Sequence, residues 1–86
     1  MNNFDFSLLC ENGNVFSGKV EKVIINTTEG EITVLKNHIP LIATTKLGKI
    51  IINQNNEVIE YYANPGVLKI NKEEVLLMSD KIEILK

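Results

Sequence analysis

Few side chains in this 86-residue chain could do chemistry. His38 is the one histidine and Cys10 the one cysteine. A general base needs a nucleophile or an orienting carboxylate beside it. Cys10, Glu29 and Glu31 are the candidates for that company, and nothing in the linear order places them near His38. Otherwise His38 reads as a histidine in an ordered loop beside Pro40. One Cys and one His cannot furnish a metal cluster, and a single Cys forms no internal disulfide. The apolar setting Leu8-Leu9-Cys10 suits a buried thiol acting as a small hydrophobe. Glu29 and Glu31 flank Gly30, which reads as a pair of solvated acids at a turn, presenting charge outward. The five glycines are scattered, and none opens a phosphate-binding helix. No catalytic residue, metal site or cofactor is therefore expected.

The elements that would position these groups are strands. Phe4, Phe6 and Leu8 alternate at period two, as do Ile32 and Val34, Ile50 and Ile52, Val75 and Leu77, and Ile82 and Ile84. That spacing puts each set on one face of a strand. β-branched runs such as Val23-Ile24-Ile25 and Ile50-Ile51-Ile52 favour strand over helix through their stiff χ1. Turn chemistry interrupts the runs at Asn12-Gly13, Leu47-Gly48-Lys49, Asn53 to Asn56, Asn64-Pro65-Gly66, Asn71-Lys72 and Ser79-Asp80. The pattern predicts strands over 4–10, 14–17, 20–26, 31–35, 41–45, 49–53, 57–63, 66–70, 74–78 and 82–85. The expected fold is all-β: one domain over 1–86, an antiparallel β-sandwich of about ten short strands in two sheets, with essentially no helix.

Composition narrows the function classes. A net charge of −2 and a pI near 5.3 argue against a nucleic-acid partner, which needs a concentrated basic face. All basic residues are Lys, so no bidentate guanidinium clamp exists. No N-terminal apolar run matches a signal peptide or a membrane span. Domains this small bury a modest share of their surface and gain stability from partners. A protein-docking module is the expectation.

The stretch Thr28 to Leu41, Thr-Glu-Gly-Glu-Ile-Thr-Val-Leu-Lys-Asn-His-Ile-Pro-Leu, sharpens it. It resembles the signature of the epsilon subunit of F-type ATP synthases (delta in the mitochondrial enzyme): a Glu-Gly-Glu turn, a strand ending in Val-Leu, then His-x-Pro-Leu. Val15 to Glu21 resembles that family's Phe-x-Gly-x-Val segment, and Leu47-Gly48-Lys49-Ile50 its Pro-Gly-x-Leu hairpin. Val67 to Ile70, followed by Val75 to Asp80, resembles its closing strands. Thr33 stands where the family usually has Gly, Lys36 where it has Pro, and Asn64-Pro65-Gly66 replaces a double-Gly turn. A rival resemblance is Met78-Ser79-Asp80-Lys81 to the Asp-Lys hairpin of lipoyl carrier domains. Lys81 lies five residues from the C-terminus, too late for a second half to follow, so a plain turn suits it better.

The epsilon resemblance implies a non-catalytic rotor subunit that fastens the gamma shaft to the ring of c subunits. The family's sandwich is usually followed by a C-terminal helical hairpin, expected to be missing from a chain ending at Lys86, by nature or by truncation. By the same resemblance, Glu29, Gly30, Glu31 and His38 would face the c-ring. Ile39, Leu41 and Ile42 are assigned to the gamma shaft, with ordinary core packing as the alternative. The implied location is peripheral, at the cytoplasmic face of a bacterial membrane or its organellar equivalent. Contact with the membrane would come only through the complex.

Overall fold

The computed structural model describes residues 2–85. Nine strands follow one another: β1 (Phe4–Cys10), β2 (Gly13–Val20), β3 (Lys22–Thr27), β4 (Gly30–Val34), β5 (Leu41–Gln54), β6 (Glu57–Ala63), β7 (Gly66–Ile70), β8 (Glu74–Ser79) and β9 (Ile82–Ile84). Among the described residues there is no helix.

The tenth expected strand is lost because 41–45 and 49–53 are one continuous strand. Leu47-Gly48-Lys49 does not reverse the chain, and Gly48 at φ 159° is simply extended. Likewise Ser17-Gly18-Lys19 runs through as part of β2, paired to β1 with Phe6 opposite Gly18. The long β5 also joins the two expected sheets to each other. Its first part, Leu41 to Thr44, pairs with β7, while Gly48 to Gln54 pairs with β6, and Ile50 to Asn53 also with β3. The hydrogen-bonded path is thus one nine-stranded sheet through β5. Nor is the sheet purely antiparallel: β1 and β8 run parallel, Phe6 opposite Val75 and Leu8 opposite Leu77. Parallel neighbours distant in the chain leave no local turn signal, so alternation alone cannot reveal them.

On either side of β5 the sheet forms two halves, β2-β1-β8-β7 and β4-β3 with β6-β9, that meet over one core. Phe6, Leu8, Leu68 and Leu77 of the first half are fully or almost fully buried, as are Val23, Ile25, Val34 and Ile52 of the second. Burying each such side chain contributes about 1.5–3 kcal/mol. Phe16 bridges the halves, its ring 6.3 Å from Phe6 and 6.3 Å edge-on from Tyr61. Backbone closure follows where Glu21 N donates to Asn53 O at 2.9 Å, and Gln54 Nε2 donates to Lys19 O at 2.9 Å. The β5–β6 hairpin turns on Asn55 and Asn56, at φ 52° and 65°, a left-handed pair that asparagine tolerates and that matches strand twist.

Candidate docking surfaces

Three features of the surface bear on docking: an acidic turn, a loop around His38, and an apolar outer sheet face. The acidic turn joins β3 to β4. Thr27 pairs with Gly30 across the hairpin, so Thr28 and Glu29 form the turn itself and Glu31 lies on β4. Thr27 Oγ1 donates to Gly30 O at 2.8 Å and accepts from Glu29 N at 3.1 Å, fixing the turn from inside. Glu29, Gly30 and Glu31 are exposed. Among the described residues neither glutamate has an ion-pair partner, whereas Asp5, Glu60 and Glu83 each hold a lysine. The turn therefore offers uncompensated negative charge.

His38 lies elsewhere. It follows the far end of β4, in a turn where its N–H donates to Leu35 O at 3.1 Å, and its Nδ1 lies 2.8 Å from Ile39 O. This loop lines a cleft of about 500 Å³ together with Phe4, Asp5 and the β7–β8 turn at Asn71 to Glu73. Four strand steps from Gly30 to Val34 separate the two features, about 13 Å at the usual rise. The four residues assigned to the ring thus divide between opposite ends of the fold. No carboxylate is hydrogen-bonded to the His38 ring among the described residues, and Cys10 sits at the end of β1, half-buried rather than fully buried.

The three shaft residues also divide. Leu41 faces inward and packs against the core. Ile39, in the loop, is 73% exposed, and Ile42, on the outer face of β5, is 72% exposed. Register extends the surface around Ile42. Opposite residues share a face, so Thr44, Val67, Met78 and Leu9 form one outward ladder across β5, β7, β8 and β1. Ile42, Lys69, Leu76 and Ser7 form the next. Leu9, Ile42, Val67, Leu76 and Met78 thereby make an apolar patch on a face that strand alternation would lead one to expect polar. The missed signal was Leu76 beside Val75 and Leu77: an apolar residue between two core positions has to point outward.

The turn Ser79-Asp80-Lys81 is accounted for by local bonding. Ser79 Oγ donates to Asn64 O at 2.9 Å and accepts from Lys81 N at 3.3 Å, while Lys81 Nζ lies 3.5 Å from Glu83.

Comparison with known proteins identifies the family. Residues 3–84 match the family described as the ATP synthase Delta/Epsilon chain beta-sandwich domain. The ATP synthase epsilon chain of Alkalihalophilus pseudofirmus is 25% identical over 84 residues, covering 98% of this chain and 63% of the relative. That of Ruminiclostridium cellulolyticum is 31% identical over 83 residues, covering 96% and 62%. This chain thus spans a little under two thirds of both relatives. In fold it resembles a chain in the Euglena gracilis mitochondrial ATP synthase OSCP/F1/c-ring structure, with a TM-score of 0.91 at 17% identity, covering 98% of this chain and 54% of that one. A second likeness is to a chain of the central stalk and c-ring of the Tetrahymena thermophila mitochondrial ATP synthase, with a TM-score of 0.79 at 9% identity, covering 92% and 64%. With a family match running from residue 3 to residue 84, the chain belongs to the beta-sandwich domain family of ATP synthase delta and epsilon chains.

Proposed function

We propose that this domain is a non-catalytic central-stalk component of a rotary, F-type ATP synthase, joining the gamma shaft to the c-ring so that torque passes without slip. The observation that carries the reading is the family match along nearly the whole chain. The physical demand is large. One elementary charge crossing a potential of 100 mV is worth about 2.3 kcal/mol, and several such steps load a rotor. Holding against that load calls for a broad contact, of about 1,200–2,000 Å² or more. The outer patch of Ile42, Val67, Leu76, Met78 and Leu9 suits the shaft side, an apolar face presented by a stiff sheet.

The Glu29-Gly30-Glu31 turn suits the ring side, where two unpaired carboxylates would orient the domain against basic or hydrogen-bond-donating loops. His38, at the other end of β4, is grouped with its neighbour Ile39 on the shaft side. Among the described residues no helix is long and apolar enough to cross a membrane. In this reading the domain reaches the cytoplasmic face of a bacterial membrane only through its complex.

The test is binding. The purified chain should form a one-to-one complex with the gamma subunit and co-purify with the membrane enzyme; failure of both would sink the proposal. Reversing charge with Glu29→Lys and Glu31→Lys together should weaken ring coupling, with unchanged far-UV circular dichroism. Normal proton pumping in that double variant would reject the ring assignment of the acidic turn.

A further inference from the structure

Three strands lie at the margins of the sheet, and two of them are blunted. β2 is bulged, its register on β1 shifting between Leu8 and Leu9, and its Lys19 O already accepts from Gln54 Nε2. β9 is only three residues long. β4 is different. It is regular over Gly30–Val34, pairs among the described residues with β3 alone, and contains no lysine, proline or bulge, the devices that protect most sheet edges.

The ladder settles which of its backbone groups are free. Antiparallel partners alternate between pairs that exchange hydrogen bonds and pairs that do not. Thr28, just past β3, donates from N to Thr44 O at 3.0 Å, toward β5. Odd positions of β3 therefore bond the other way, so that Val23, Ile25 and Thr27 hold Val34, Ile32 and Gly30. Glu31 and Thr33, opposite Asn26 and Ile24, aim their N–H and C=O groups at the open side. Among the described residues no backbone bond outside the ladders reaches either, and both residues are exposed.

Charge on this edge is divided by end. Glu29 and Glu31 stand at its start; exposed Lys36, with no ion-pair partner among the described residues, follows its far end. An antiparallel second copy would set each end against its opposite. Centring such a pair on Glu31 places like charges directly across from each other. Centring it on Thr33 matches Glu31 with Leu35, whose O already accepts from His38 N. Centring it on Ile32 avoids both. Glu31 then faces Thr33 twice, exchanging two hydrogen bonds each time, Ile32 meets Ile32 on the inner side, and Lys36 comes beside Glu29 of the second copy.

We propose that the free chain self-associates through β4 in this register, forming a two-fold symmetric dimer with a sheet continuous across both copies. The contact is small, so the dimer is weak and reversible. It does not depend on the rotor reading. In that reading Glu31 also faces the ring, so the dimer belongs to the unassembled chain.

The test is sedimentation velocity of the full chain from micromolar to millimolar concentration. Wild type is compared with Thr33→Pro, with Lys36→Glu, and with the exchange of Glu29→Lys and Lys36→Glu together. Proline at 33 removes an N–H on the open side and none in the β3–β4 ladder, which an edge strand tolerates. Far-UV circular dichroism and a thermal melt accompany each variant. Wild type should pass from monomer to dimer as concentration rises. Thr33→Pro should weaken the dimer about tenfold or more, since two hydrogen bonds are lost in each dimer. Lys36→Glu should weaken it several-fold, and the exchange should restore it; Lys36 lies outside every strand, so this arm holds even if proline lowers the melt. A wild-type chain monomeric up to millimolar concentration would overturn the proposal. So would a dimer that folded Thr33→Pro leaves unchanged, or one that the exchange fails to restore. Loss of the dimer in Ile42→Asp with Met78→Asp, with Thr33→Pro unaffected, would move self-association to the apolar patch and overturn the β4 assignment.

Discussion

At the residue scale, single positions are constrained for different physical reasons, and substitutions separate those reasons. Gly30 sits at φ +125° with nothing within 4 Å of where a Cβ would be, so conformation and not space demands glycine. Gly30→Ala should cost about 1–2 kcal/mol, read from urea unfolding, with the strands preserved. Tyr61 shows how burial becomes pH dependence. Desolvation raises its hydroxyl above the ordinary value of 10.0. The folded chain then holds that proton more tightly than the unfolded chain does. This contribution to stability is complete below about pH 10 and is lost as pH climbs through the raised value. Tyr61→Phe should remove that part of the alkaline decline, seen as a flatter melting-temperature profile above about pH 10. An identical profile in wild type and variant would reject the assignment.

At the element scale, β5 does the work of two strands, and β7 and β8 depend on a close approach. A Cβ on Gly66 would fall onto the Met78 backbone carbonyl across the β7–β8 pair. A backbone obstacle cannot rotate away, so Gly66→Ala should destabilise by about 3 kcal/mol. It should also loosen the apolar patch, because Val67 and Met78 lie in the same ladder. Hydrogen exchange at β7 and β8 would report both effects. Strand content and most boundaries were legible in the sequence, because alternation of residues such as Phe6 and Leu8 is a local property. The continuity of β5 was not, since Leu47-Gly48-Lys49 looks like a turn until pairing with β6 holds it extended.

For the whole molecule, the two halves on β5 place an apolar face and an acidic turn on one stiff body. Substituting Ile42→Asp and Met78→Asp together puts two charges in the patch without touching the core. In the proposed rotor reading the pair should weaken gamma binding by about a hundredfold or more, the desolvation cost of two unpaired carboxylates. Melting should change little, because both side chains are exposed in the free domain. Titration calorimetry with gamma, beside a thermal melt, tests the two halves of this expectation.

The sequence by itself specified a small β domain whose chemistry-bearing residues, His38 and Cys10, had no evident company. It also carried the Glu29 to Leu41 signature of its family, because residue types and their order need no third dimension to be read. Only the tertiary structure decided which of those residues share a surface. It separated His38 from the Glu29 turn, turned Leu41 inward, and gathered Leu9, Leu76 and Met78 around Ile42. The cause is the same each time. A surface is made by neighbours across strands, and the register that makes them neighbours depends on pairings, such as β1 beside β8, between residues about seventy positions apart.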